Sequence, residues 1–283
     1  MNFNRMASPS LAKSDGRRTL MLNLGCGSRI HELWVNIDYS PEFALVKQWW
    51  LRPFLNSSIP SGVMVHNLRG GIPFGDETVD VVYASHVLEH FDRNDALSFM
   101  REVRRVLRTG GICRIVVPDL EWAARAYINA LTAFREQGVD KNIGREQLEW
   151  ATIMLLDQMV RTVPGGEMQK WLRQHRHSAF VRSLGGIILE IADSDQPTDK
   201  AKTIKSMIKA WLFPNDPALK GELHRWMYDN ESLNQLFLEA GFEDVLSMSH
   251  LESRIPEWKS YCLDNNLDST PHQPHSIWME GVK

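Results

Sequence analysis

The chain has 283 residues, 43% hydrophobic and 24% charged, with a formal net charge of −3. That length holds one α/β core plus an appended subdomain, and the charge balance supplies no general pull towards nucleic acid. No run approaches the length of a membrane span, so stable membrane insertion is not expected.

Residues 1–18 are polar and lack the apolar stretch of a signal peptide; they read as a mobile arm. The cysteines, Cys26, Cys113 and Cys262, make no disulfide framework and fit a reducing cytoplasm. Internal repeats and low-complexity tracts are not found.

The first strand is read in Leu20-Met-Leu-Asn-Leu24 and ends in a tight Gly25-Cys-Gly27 turn. A second apolar run, Trp34-Val-Asn-Ile, ends in Asp38. Such a turn lets backbone amides approach a nucleoside-bearing ligand, because glycine has no Cβ in the way. An acid at the tip of the next strand is placed to accept from both ribose hydroxyls. The link between the two strands holds only about nine residues, below the roughly dozen of a full helical crossover. The first helix must shrink to about a turn, or the strands must be trimmed.

Further strands follow. Val63-Met-Val-His-Asn67-Leu68 is a third with a polar tip, and Asp80-Val-Val-Tyr-Ala-Ser85-His86 a β-branched fourth. From Asn94 to Leu107, Ala96, Phe99, Val103 and Val106 recur at helical spacing, with Gly110-Gly111 as the expected stop. Ile112 to Asp119 supplies a fifth strand. Strands alternating with helices predict a doubly wound parallel sheet, with its ligand outside the carboxyl ends of the strands.

The roughly 100 residues between Asp119 and His224 exceed any ordinary loop. Helices are predicted from Glu121 to Leu131 and from Glu146 to Val160, the second with Leu148, Ala151, Leu155 and Met159 on one face. Pro164-Gly-Gly166, Ser183-Leu-Gly-Gly186 and residues 193–199 break the pattern. Lys200, Lys202, Lys205 and Lys209 around Ile204, Met207, Ile208 and Trp211 form a basic amphipathic stretch, read as a packed helix with a solvated face. Asn230 is the expected cap of a helix carrying Leu233, Leu236, Phe237 and Ala240, with Gly241 as its stop. Asp244 to Ser249 is a sixth strand, and His275 to Val282 a last one.

These motifs resemble the class I S-adenosylmethionine-dependent methyltransferases. Within them, the match is to a bacterial group with Leu-x-Leu-Gly-Cys-Gly, Trp-x-Asn-x-Asp, Ser-His-x-Leu-Glu-His and Gly-Gly-x-x-x-Ile-x-Val-Pro-Asp-Leu. The resemblance covers residues 20–122 and resumes at His224-Arg-Trp-Met-Tyr-Asp229 and Pro274-His-Ser-Ile-Trp-Met-Glu280. It implies a Rossmann-like doubly wound sheet, mostly parallel with an antiparallel last strand, and a helical insertion after strand five. The implied organisation is an arm (1–18), the cofactor-binding half of the core (19–122), an insertion capping the acceptor (123–222) and the C-terminal half of the core (223–283).

The implied cofactor is S-adenosyl-L-methionine, contacted by Asn23, Gly25, Cys26, Gly27, Asp38, Asn67, Leu68, Ser85 and His86. Asn67 stands where such enzymes often carry Asp, and its side-chain oxygen can accept the adenine amino group without the charge. Methyl transfer to a hydroxyl needs a base, for which His224, Asp119 and His86 are the candidates, with His224 ranked first.

His86-Val-Leu-Glu89-His90 also matches a zinc-peptidase pattern, but it leaves a strand at the expected cofactor edge. Glu89 and His90 alternatively resemble a divalent-ion pair of some methyltransferases. The plain reading is that they orient the loop, with no metal. His175 and His177 read as solvated.

The expected activity is methylation of an oxygen on a sugar, glycan precursor or other polar metabolite. N-methylation of a natural product or peptide is the runner-up, and a non-catalytic S-adenosylmethionine-binding interaction protein the competing class. A nicotinamide dehydrogenase is disfavoured because Ile30 replaces the third glycine of its fingerprint. Neither a nucleic-acid partner nor a membrane anchor is expected, and a homodimer is compatible with the chain.

Overall fold

The computed structural model describes residues 19–39, 61–136, 141–184, 188 and 223–283. The expected N-terminal arm, the breaks at 185–186 and 193–199 and the basic stretch at 200–211 lie outside them. Two compact units emerge. Among the described residues, one contains 19–39, 61–119 and 226–283, and the other 120–136, 141–184 and 223–225.

The first unit is a seven-stranded sheet. Its strands are β1 (Met21–Leu24), β2 (Val35–Asp38), β3 (Val63–Val65), β4 (Val79–Ser85), β5 (Leu107–Pro118), β6 (Glu243–Met248) and β7 (Ser276–Val282). Their spatial order is β3-β2-β1-β4-β5-β7-β6. β1 to β5 pair in parallel, whereas β7 runs antiparallel to both β5 and β6. The order reverses between β1 and β4, and open α/β sheets bind ligands at such a switch point.

Side chains alternate across the strands, so each face has its own core. Leu22, Leu24, Val82, Ala84, Cys113, Ile115 and Val117 pack with helices α1 (Arg93–Val106) and α6 (Asn230–Glu239). On the opposite face Met21, Val81, Tyr83 and Val116 pack with Trp34 and with Ile255, Trp258, Tyr261 and Leu263. The latter four come from the β6–β7 connection, whose regular structure is one short 3-10 turn, Trp258–Tyr261. Residues 25–34 contain no helix and β1 and β2 hold four residues each, so of the two expected outcomes the strands are trimmed and the one-turn helix is not formed. The β6–β7 connection covers the face in its place.

α1 is capped by the Asp92 side chain, which accepts from the Asp95 amide at 3.0 Å. It buries Ala96, Phe99, Met100, Val103 and Val106, the predicted stripe plus Met100. It stops at Val106 rather than at the glycines, because Leu107 is already extended and pairs with Val79. Gly110 and Gly111 instead lie in a bulge between Leu107 and Ile112, where β5 gains residues relative to β4, and they exchange backbone hydrogen bonds with Lys283. The cap of α6 is Asp229, not Asn230. Its carboxylate accepts from the Ser232 amide at 2.7 Å while Ser232 Oγ accepts from the Asp229 amide at 3.0 Å, a reciprocal capping box. The β3 strand is also shorter than expected and ends before His66.

Within the second unit are α2 (Leu120–Arg135), α3 (Lys141–Val160), α4 (Gly166–Gln174) and α5 (Ala179–Leu184). Pro164-Gly-Gly breaks α3 from α4 as predicted. The buried line of α3 differs from the expected one. Trp150, Ala151 and Asp157 are buried, Leu148 and Leu155 only partly so, and Met159 is exposed. The reason is the Trp150–Trp171 contact at 5.4 Å and a buried Asp157, which accepts from Arg161 and from the Glu167 amide, both at 2.7 Å. Among the described residues, no helix is long and apolar enough to cross a membrane.

Candidate active site

The carboxyl edge of the sheet around β1, β2 and β4 gathers most of the predicted site residues. At the end of β1 the chain folds back onto β2, with the Gly25 and Cys26 amides both donating to the Ile37 carbonyl at 2.8 and 3.1 Å. Gly25 has φ +66°, and an added Cβ would stand 2.3 Å from Val87 Cγ2. Gly27 has φ +51°, and among the described residues nothing stands within 4 Å of its missing Cβ. Both glycines sit in a left-handed conformation, and at Gly25 a neighbouring side chain excludes a Cβ as well.

Asp38 closes this cradle. One carboxylate oxygen accepts from the Gly27 amide at 2.7 Å, the other from the Tyr39 amide at 2.6 Å. Each oxygen retains a further lone pair for an outside donor. Asn23 and Asn36, both buried, brace the turn from behind. Asn23 Nδ2 donates to Asn36 Oδ1 at 3.0 Å and to the Arg29 carbonyl at 2.7 Å, and Asn36 Nδ2 donates to the His31 carbonyl at 3.0 Å. Burial, then the Asp38 charge, pushes the Cys26 thiol up to about 12, which keeps it protonated at neutral pH.

Asn67 is exposed beyond β3 and caps the 3-10 turn Leu68–Gly70, its Oδ1 accepting from the Arg69 amide at 3.0 Å. Leu68 packs against the core beside it. Ser85 is the last residue of β4, paired with Val116 of β5.

His86 follows at φ +54°, a left-handed conformation that costs a non-glycine residue roughly 1–2 kcal/mol. Its surroundings hold it there. The His86 amide donates to the Val116 carbonyl at 2.9 Å, Nδ1 lies 3.3 Å from a carboxylate oxygen of Glu89, and Nε2 lies 3.1 Å from Ser276 Oγ. Glu89 is wholly buried on the 3-10 turn Leu88–His90. The segment from His86 to His90 is therefore not the helix that the zinc-peptidase pattern requires.

Asp119 ends β5. Its amide donates to the His275 carbonyl at 3.0 Å, and it bridges in parallel to Tyr228, where the chain returns to the sheet. Burial lowers the pKa of His275, against the opposing pull of Asp119. His224 belongs to the second unit. It is buried there, and its amide donates to the Gln158 carbonyl of α3 at 2.8 Å. His175 stacks on Trp171 at 4.1 Å, and its Nδ1 lies 2.9 Å from the Trp171 carbonyl, a packing role rather than the solvated one expected.

Several members of this edge were not singled out from sequence. Asn36 lay inside a quoted motif, and Ser276 inside another, without an assigned role. Arg29, Asn266 and His272 carry no spacing signal, because they meet only across the fold: Arg29 Nη2 reaches Asn266 Oδ1 at 2.7 Å and His272 Nδ1 at 2.6 Å.

Residues 22–115 match the family described as a methyltransferase domain. No curated protein matches the chain. Among solved structures, similarity extends to a possible exported protein of Bordetella parapertussis, at 10% identity over 94% of this chain and 61% of that one, with a TM-score of 0.37. This chain thus spans less than two thirds of that protein. A SAM-dependent methyltransferase of Thermotoga maritima, described as a possible histamine N-methyltransferase, is 12% identical over 94% of this chain and 83% of that one, with a TM-score of 0.36. A SAM-dependent methyltransferase of Archaeoglobus fulgidus is 11% identical over 94% and 86%, with a TM-score of 0.38. Scores this low carry no argument about substrate. Residues 22–115, which include Gly25, Gly27 and Asp38 of this sheet edge, thus match a methyltransferase domain.

Proposed function

We propose that this methyltransferase transfers the methyl group of S-adenosylmethionine to a hydroxyl oxygen of a sugar, glycan precursor or similar polar metabolite, with His86 as the base. The observation that carries the reading is the placement of His86 between the buried Glu89 carboxylate and Ser276 Oγ.

The residues fit the cofactor. Open space in front of Gly27 admits a nucleoside against the backbone, and the Asp38 oxygens face it with lone pairs to spare for ribose hydroxyls. Gly25, Cys26 and Asn23 shape the turn, Asn67 and Leu68 stand at the adenine side, and Ser85 and His86 close the edge at β4. When bound, S-adenosylmethionine supplies an electrophilic methyl carbon on a sulfonium.

A hydroxyl acceptor must lose its proton as its oxygen takes that carbon. A carboxylate beside His86 Nδ1 keeps the ring proton on that nitrogen, which leaves the Nε2 lone pair to receive the acceptor's proton. Ser276 Oγ, 3.1 Å from Nε2, marks where such a hydroxyl sits relative to the ring. This assignment moves the role from His224, ranked first on chain order, to His86, which shares a unit with the cofactor cradle.

The helical insertion leaves the sheet after Asp119, and the chain rejoins it at Tyr228, beside the same residue. That splice point supports a role for the insertion, 123–222, in acceptor choice. Three free thiols support a cytoplasmic setting.

The test is release of S-adenosylhomocysteine from S-adenosylmethionine with panels of hydroxylated metabolites and of amines. His86→Gln should lower turnover at saturating S-adenosylmethionine about 10²–10⁴-fold while the melting temperature stays near wild type. Turnover that survives the substitution passes the role to Asp119 or His224. Turnover confined to amines overturns the oxygen reading, and cofactor binding without turnover on any acceptor favours a non-catalytic binder.

A further inference from the structure

The turn from Gly25 to Gly27 has no helix behind it. In a full crossover, the backbone of the following helix would hold such a turn in place. Here the support comes from Arg29, just past the turn. Its amide donates to the Cys26 carbonyl at 2.9 Å, and its own carbonyl accepts from Asn23. Its guanidinium is directed into the β6–β7 connection, where it donates to Asn266 Oδ1 at 2.7 Å and to the Cys262 carbonyl at 3.4 Å, and meets His272 Nδ1 at 2.6 Å.

A guanidinium has donors only, so His272 Nδ1 must present a lone pair and the ring proton must sit on Nε2. A protonated imidazole would bring N–H against N–H and two cations together. We propose that His272 is a positioning residue for the cofactor: as a neutral imidazole it holds Arg29, and through Arg29 the glycine turn, in the shape that binds S-adenosylmethionine. This rests on the cofactor reading of the turn.

The charges around His272 agree. Arg29 faces it from the turn and His86 from the tip of β4. From its own segment come Asn266 and the Asp264 carbonyl, which accepts from the His272 amide at 2.7 Å. The Asp264 carboxylate is engaged elsewhere, with Tyr83 and Arg114. Burial, then Arg29 and His86, lowers the His272 pKa from its ordinary 6.5, so the ring is neutral at pH 7 and becomes charged only in acid. Protonation should release Arg29 and loosen the turn.

Titration calorimetry of the full chain with S-adenosylhomocysteine tests this at about pH 7.5 and about pH 5. Wild-type affinity should fall about tenfold in acid, the usual size of one charge-assisted contact. His272→Asn places a non-titrating oxygen near the Nδ1 position, and should keep neutral-pH affinity and lose the acid response. His272→Ala should bind about tenfold more weakly at both pH values, with melting curves confirming that each variant folds. An acid response retained in His272→Asn, or wild-type affinity in His272→Ala, overturns the inference alone. A wild type that binds no S-adenosylhomocysteine at about pH 7.5 overturns the cofactor reading and this inference with it.

Discussion

The Asp38 carboxylate and the Gly27 amide, eleven positions apart in the chain, meet at 2.7 Å. One side chain thus sets the shape of the turn and also offers the acceptors that a ribose needs. Replacing it should disturb both functions.

Asp38→Ala should weaken S-adenosylhomocysteine binding by at least tenfold, since hydrogen bonds to a charged acceptor contribute roughly 1.5–3 kcal/mol each. Asp38→Asn keeps an oxygen for the Gly27 amide, and should retain more of the melting temperature than of the affinity. Calorimetry beside thermal melts separates the two. Unchanged affinity in Asp38→Ala would move the ribose site elsewhere.

The two glycines of the turn should fail differently. Gly25→Ala drives a Cβ to 2.3 Å from Val87 and should destabilise the fold, by at least the 1–3 kcal/mol typical of overpacking. Gly27→Ala meets no atom of the described residues, so its expected stability cost is the left-handed backbone, about 1–2 kcal/mol. Its new methyl enters the space assigned to the cofactor, so affinity should fall further than stability. Urea melts and S-adenosylhomocysteine titration would show the opposite order if the ligand lay away from this turn.

Arg114 offers a test with a pH sign. It is wholly buried in β5, bonded to Asp264 at 2.8 Å and to Glu280 at 2.8 Å, with its guanidinium 4.5 Å from the Trp258 ring centre. Arg114→Met removes the buried cation between the two carboxylates, leaving Asp264 with Tyr83 and Glu280 with Ser253 and Arg254, and should cost about 3–5 kcal/mol at pH 8. Burial already holds the Asp264 pKa above its usual 3.8 despite Arg114, and loss of the cation raises it further. An acid with a raised folded-state pKa binds more protons folded than unfolded, so stability rises as pH falls through that value. The deficit of the variant against wild type should therefore shrink between about pH 8 and about pH 5. A constant deficit in urea melts across that range would refute the coupling.

Much of the architecture was legible in the amino-acid order because it depends on local periodicity and on turn chemistry. Strand ends at Leu24 and Asp38, the stripe of α1, the Gly25–Gly27 turn and the Asp38 tip all follow from neighbours within a few residues. Cap positions were harder to read. Asp229 and Asn230 are both cap-forming types, and only the reciprocal bond with Ser232 distinguishes them. The glycines at 110 and 111 read as a helix stop until pairing with β4 and Lys283 claimed them for a bulge.

What only the tertiary structure decided are the contacts between distant segments. Nothing local in Thr270-Pro-His272 points to Arg29, and nothing in Ser276 points to His86. The first pair forms because the β6–β7 connection crosses the sheet face that a β1–β2 helix would otherwise cover, the second because β7 opens at Ser276 beside the end of β5. The amino-acid order by itself determined the strands, the glycine turn and the acid at the strand tip, since backbone geometry and side-chain period act at short range. The identity of the candidate base and the brace on the glycine turn were decided by long-range packing, which joins residues that no spacing rule relates.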